Sequence, residues 1–423
     1  MSKDEEGFSL HWGLISLFGN DPISGGDSWG AFTDQAPYVS MGESPFITPP
    51  LPMWGMVYWT KAFDQKLPIT RTLSALIAAL GLIGFYFIAK YVLPSEFSMF
   101  APGFLAGSLI WNGFARQATS EIWGITILIA IVGTILFYSY KKEKNILHSI
   151  LYSVFLAIGI SLLSLSSFSG FGLALMIIPM LVILLQPTLL FSVLTFAGLS
   201  IGTLTGLSWY YSMDFPFWSQ VRDSLFTFHH LFDQSLLQSV LSDLIFFPFV
   251  LVGLISFAFT KSNAWNKAKW KMHAFLAFWL LISTLATSHF SQFSIVPLIL
   301  FGLSSIEQFN EHISKASVRW LVLTSTYIIA LFGIIPRLPH AAINILSGSP
   351  INLIGIIAAI ILIFIPIAGF LLPKRFLDEY NARMMVSLIM ILFIASMVKI
   401  TFANYLGKQA PQSQPAQFTQ SIM

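Results

Sequence analysis

The chain has no cysteine, which excludes a disulfide framework and a thiolate metal site and leaves the redox compartment unmarked. Charge is also scarce. Only 10% of the residues are Asp, Glu, Lys or Arg, whereas soluble domains carry roughly 25%. So little polar surface cannot keep 423 residues in water. The net charge of +3 is too small to point to nucleic acid, and no nucleic-acid partner is expected. The first residues, Met1 to Gly7, are acidic, and no short apolar run with a small-residue cleavage site follows them, so no cleavable signal peptide is expected. Internal repeats and a soluble domain are missing too. What the chain has instead is apolar bulk. It is 56% hydrophobic and 15% aromatic, with 40 Phe, and its mean hydropathy is +0.76. Lipid is the solvent that suits it, and the aromatics suit lipid-facing surfaces and interfacial belts.

A membrane-crossing helix needs roughly 20 mostly apolar residues. About twelve stretches meet or approach that length. They are Thr72–Leu93, Phe97–Phe114, Ile122–Tyr140, Ile146–Leu165, Phe171–Leu185, Thr188–Ser208, Leu241–Phe259, Met272–Thr287, Ser294–Ile306, Trp320–Ile335, Ile351–Leu372 and Met384–Ala403. The fold class expected is an all-α polytopic membrane protein. Residues 1–71 read as a polar outer-face loop, with the apolar Phe8–Phe18 as an interfacial helix or the stub of a first span. Residues 72–405 read as the transmembrane helical domain, with a long outer loop at 209–240. The tail 406–423, polar and rich in Gln, Pro and Ser, reads as disordered.

Charge sets the orientation. Alternate loops collect Lys141, Lys142 and Lys144, then Lys261, Lys267, Lys269 and Lys271, then Lys315 and Arg319, then Lys374, Arg375 and Arg383. The opposite loops hold only Arg116, Arg222 and Arg337, with Lys61, Lys66, Arg71 and Lys408 at flanks. Short basic loops stay cytosolic. The long polar loops then face outward, with a bacterial inner membrane and its periplasm as the natural setting.

The outer face also pools the unusual polar groups: Asp21, Asp27, Asp34 and Glu43, then Arg116 and Glu121, then Arg222, Asp223 and the His229-His230 pair, then His289. Charges near lipid are costly and mark functional candidates, although most loop carboxylates are simply solvated. Trp29, Trp54, Trp209, Tyr210, Tyr211 and Trp218 lie in the same loops. They are either interfacial anchors or platforms for sugar faces. The basic stretch Lys261–Lys271, with its two Trp, reads as an inner-face anchor.

Pro45-Phe46-Ile47-Thr48-Pro49-Pro50-Leu51-Pro52-Met53-Trp54, followed by Thr70-Arg71-Thr72-Leu73-Ser74-Ala75-Leu76, resembles the first outer loop and second span of GT-C glycosyltransferases. The resemblance is to the branch that contains the lipid A aminoarabinose transferases and the protein mannosyltransferases. Ala115-Arg116 with Glu121, and Thr287–Pro297 with His289, resemble later segments of that branch. The resemblance implies an integral-membrane enzyme that uses a polyprenyl-phosphate sugar and transfers it, with inversion, to a lipid, glycan or protein acceptor on the outer face. It implies an Asp as general base, with Asp27 the first candidate and Asp21 the second. Arg116 would face the donor phosphate, and Glu121, Asp34, Trp54 and His289 would line the substrate. His229 or His230 would share a divalent metal with a carboxylate. One departure is plain: many relatives have Glu-Lys where this chain has Ile47-Thr48. Two other readings stay open at this point, a multi-span transporter or lipid flippase, and a degenerate, non-catalytic homologue. Pro and Gly within spans favour the transporter, and the pooling of polar groups on one face disfavours it.

Overall fold

The computed structural model describes residues 38–41, 44–47, 49–63, 67–93, 95–115, 120–141, 145–187, 192–212, 217–225, 267–286 and 292–312. Their elements run β1 Tyr38–Met41, β2 Ser44–Ile47, α1 Pro50–Phe63, α2 Leu67–Val92, α3 Ser95–Ser98, α4 Ala101–Gly107 and α5 Leu109–Ala115. There follow α6 Glu121–Tyr140, α7 Ile146–Ser166, α8 Phe168–Leu185, α9 Val193–Ser212, α10 Phe217–Leu225, α11 Lys267–Ala286 and α12 Gln292–His312. Among the described residues, four helices are long and apolar enough to cross a membrane: α2 from Thr72, α6, α7 and α8. Shorter apolar stretches lie within α11 and α12. The expected spans Leu241–Phe259, Trp320–Ile335, Ile351–Leu372 and Met384–Ala403, the stub Phe8–Phe18 and the tail 406–423 fall outside the described residues.

Two of the long helices start at a capping side chain. Asn145 caps α7 by accepting the His148 backbone N–H at 3.0 Å. Ser167 caps α8 by accepting the Gly170 N–H at 3.0 Å. That cap starts α8 at Phe168, ahead of the first residue the apolar run suggests.

Contacts fix the direction of each span. Thr126 of α6 donates to the Ile77 carbonyl of α2 at 3.2 Å. At the far ends of these two helices Tyr91 stacks on Tyr140, centroids 5.4 Å apart. Sequence numbers rise together along both, so α2 and α6 run parallel. Tyr138 of α6 stacks on Tyr152 of α7 at 4.2 Å, whereas Ile131 of α6 meets Gly159 of α7; these two are antiparallel. Ser153 of α7 donates to Leu194 O of α9, and Tyr210 of α9 donates to Ser164 O of α7; these are parallel. One end of the bundle therefore gathers Thr72, Glu121, Ser166, Phe168 and Trp209, and the other gathers Tyr91, Lys141 and His148. The alternation inferred from charge matches this packing.

Two sequence expectations need correcting. The stretch Phe97–Phe114 is not one span but three short helices, α3, α4 and α5. Pro102-Gly103 and Gly107-Ser108 interrupt it, and Ser108 is extended, with φ −64 and ψ 136. The break is satisfied internally. Ser108 Oγ accepts the Trp111 N–H at 3.4 Å. Asn112 Nδ2 donates to the Ala106 and Ser108 carbonyls. Ser108 and Trp111 are buried, which is where irregular backbone is tolerated at membrane depth.

The helical class holds among the described residues, with one small addition: β1 and β2 form a two-stranded antiparallel hairpin pairing Tyr38 with Ile47 and Met41 with Ser44. Finally, the outer loop placed at 209–240 is partly helical. Trp209–Ser212 is the last turn of α9, and α10 follows as a short helix. Val221 and Leu225 of α10 lie over Gly172 of α8, where an added Cβ would stand 2.9 Å from Leu225 Cγ.

Candidate functional site

The helix α1 begins at Pro50, with Pro52 in its first turn. Proline suits that turn, because its missing N–H would have had no intrahelical partner. The Pro-Pro-Leu-Pro segment is thus a helix start. The helix then crosses the gathered ends of the bundle. Trp59 Nε1 donates to Thr72 Oγ1 of α2 at 2.9 Å. Met56 is buried with Leu73, against Trp59 and Trp123. Gly55 sits directly on the Trp123 ring, where a Cβ would stand 2.6 Å from Cη2. Only glycine lets α1 come this close to α6.

This crossing carries Trp54 onto Trp209, ring centroids 5.8 Å apart and nearly perpendicular at 83°. Edge-to-face aromatic pairs of this kind contribute about 0.5–1.5 kcal/mol beyond their area burial. Trp209 packs at 4.9 Å on Tyr210, and Tyr210 packs at 4.6 Å on Phe217 of α10. Phe168 and Phe171 of α8 meet the same Phe217 at 5.6 Å and 5.4 Å. The Tyr210 hydroxyl donates to the Ser164 carbonyl at 2.8 Å. The outcome is a rigid aromatic floor built from four segments. At its edge Tyr211 and Trp218 are exposed, as is Tyr58 of α1.

Glu121 is the first residue of α6. It stands at a helix N-terminus, where the macrodipole favours negative charge. Two residues on, Trp123 has a buried indole N–H with no hydrogen-bond partner among the described residues. The same end carries a serine-rich turn, with Ser164, Ser166 and Ser167 all buried. Neither Trp123 nor the serine turn was singled out from sequence. Trp123 carried a signal, a Trp at the outer start of an apolar helix, but the serines carried none beyond composition.

The predicted residues divide simply. Trp54 and Trp209 are brought into contact, and Glu121 lies on the helix that supports them. Asp21, Asp27, Asp34, Arg116, His229, His230 and His289 lie outside the described residues. Among the described residues, no group of three or more His, Asp or Glu side chains converges to hold a metal. A cavity lies at the opposite end of the bundle, beside Lys141 and His148.

No protein-family model matches the chain, and no curated protein matches it in sequence. Solved structures do match it. The crystal structure of ArnT from Cupriavidus metallidurans bound to undecaprenyl phosphate superposes with a TM-score of 0.68 at 14% identity, covering 96% of this chain and 74% of that one. The apo structure of the same protein gives a TM-score of 0.67 at 14% identity, covering 95% and 73%. At that identity the likeness concerns the backbone, and it spans almost the whole chain. The chain shares the fold of that protein over almost its whole length.

Proposed function

We propose that this protein transfers a sugar from a polyprenyl-phosphate donor to an acceptor at the outer face of the membrane. The observation that carries the reading is structural. The chain shares its fold with a protein whose solved structure holds undecaprenyl phosphate, and its helix ends gather the Trp54–Trp209 floor.

The chemistry follows from the donor. Its isoprenoid tail stays in lipid, so the reacting sugar sits at the membrane boundary, where α1 crosses the helix ends. The acceptor hydroxyl must lose a proton as it attacks the anomeric carbon. A carboxylate within about 3 Å performs this as general base; Asp27 is assigned that role first and Asp21 second. The departing polyprenyl phosphate takes both electrons of the broken C–O bond and needs a cation beside it. Arg116 is assigned there, as a planar fork suited to phosphate oxygens. Attack from the face opposite the leaving group inverts the anomeric centre. The π-faces of Trp54 and Trp209 would receive the apolar C–H face of the sugar. Asp34, Glu121 and His289 are assigned to its hydroxyls. A divalent metal held by His229 or His230 would neutralise phosphate charge.

The test uses membranes containing the full chain and a labelled polyprenyl-phosphate sugar. Wild type transfers label, Asp27→Ala or Asp21→Ala falls by about 100-fold or more, as removal of a general base requires, and Trp54→Ala falls less. Equal transfer by wild type and both Asp variants removes the proposed base. Absence of any transfer by wild type, with uptake of an intact solute instead, would favour a transporter.

A further inference from the structure

We propose that a lipid-facing groove at the basic end of the bundle holds one acyl chain of an anionic glycerophospholipid, with the headgroup phosphate against Lys141 and His148. The groove is a cavity of about 420 Å³ between α2, α6 and α7. Ala130 and Gly133 keep its floor open. A Cβ at Gly133 would meet only Ile88 Cγ1, at an ordinary 3.7 Å, so this glycine leaves space instead of permitting a tight helix contact. The rims are Phe87, Phe137 and Phe155, which are 52%, 54% and 59% exposed. Rings this open on a membrane-spanning bundle face lipid.

Lys141 and His148 enter the groove at one end, and the Thr134 hydroxyl in its middle is already engaged on the Ala130 carbonyl at 2.8 Å. The Lys141 ammonium stands 5.6 Å above the Phe137 ring centroid, at the C-terminal end of α6. His148 Nδ1 is buried with no partner among the described residues. A cation beside a buried imidazole nitrogen that lacks a partner matches a phosphate diester in charge and in hydrogen bonding.

The dimensions fit one lipid tail. From Lys141 down α6 to Ile129 the groove runs about 18 Å at the helical rise. Half of a bilayer hydrocarbon core is about 15 Å. The groove therefore spans one leaflet, the one on the side where the loop lysines collect. It lies at the end opposite Trp54 and Glu121, so it is not the donor site proposed above and stands independently of it.

Native mass spectrometry of the purified full-length protein tests this, with phosphatidylglycerol and phosphatidylcholine of the same acyl chains, and undecaprenyl phosphate as a third lipid. Wild type retains phosphatidylglycerol about five-fold more than phosphatidylcholine for each engaged cation. Lys141→Gln loses that preference, while Ala130→Phe, which fills the groove at an exposed position, lowers retention of both. Melting temperature in detergent verifies that each variant is folded; should Ala130→Phe fail there, Lys141→Gln decides alone. Equal retention of the two phospholipids by wild type, or an unchanged preference in Lys141→Gln, overturns the proposal. Displacement of bound phosphatidylglycerol by equimolar undecaprenyl phosphate also overturns it, assigning the groove to the polyprenyl carrier.

Discussion

Replacing Gly202 by Ala separates α9 from α7 and weakens the site at its far end. The methyl carbon would stand 2.5 Å from the Ala157 carbonyl oxygen, 2.9 Å from Ile160 Cβ and 3.0 Å from Ala157 Cα. Ordinary contact begins at 3.4 Å. Two of these obstacles are backbone atoms, which cannot rotate aside, so α9 must retreat by about 1 Å. The retreat stretches the Ser153–Leu194 and Tyr210–Ser164 hydrogen bonds, both now 2.8 Å. Overpacking of this kind costs about 1–3 kcal/mol. Alanine recovers up to about 1 kcal/mol of helix propensity. A net loss of about 1–2 kcal/mol remains, seen as a melting temperature several degrees lower in detergent. The control is Leu204→Ala, on the same helix but 67% exposed; it should stay within about 0.5 kcal/mol of wild type. Because α9 also carries Trp209, transfer activity should fall in Gly202→Ala alone. A Gly202→Ala protein as stable as Leu204→Ala would refute the close α7–α9 packing, and with it the placement of Trp209.

Other substitutions separate floor from scaffold. Tyr210→Phe keeps the ring contacts and removes only the bond to Ser164, lowering stability by about 1 kcal/mol in denaturant titration. Ser167→Ala removes the α8 cap and costs about 1 kcal/mol, whereas Ser167→Asn keeps most of it, read by melting temperature. Trp54→Ala and Trp209→Ala each raise KM for the sugar donor by about 10-fold, and the double variant loses less than the product of the two, because neither ring works without the other; independent losses in initial-rate assays would contradict the pairing.

The spans were legible because lipid demands long apolar runs, and α2, α6, α7 and α8 follow those runs closely. The broken segment was not, because Phe97–Phe114 is apolar on average. Its interruption depends on how Ser108 and Asn112 satisfy the backbone, which average hydropathy does not report. The α1 helix hid behind its own prolines, which read as a loop when they in fact start a helix. Trp54 and Trp209 were each visible as outer-face aromatics. Their contact was not, because it depends on Gly55 lying against Trp123, a tertiary fit between residues far apart in sequence. The acidic and histidine candidates rest on chain position and resemblance alone.

The chain has no native cysteine, so a single thiol reports without background. Tyr58 lies one turn beyond Trp54 on α1 and is 60% exposed. The decisive measurement is the labelling rate of Tyr58→Cys by a membrane-impermeant maleimide in intact cells, with and without a polyprenyl-phosphate sugar. The account predicts labelling from outside that slows when the donor is present. Labelling that requires permeabilised cells, or a rate indifferent to the donor, would contradict it.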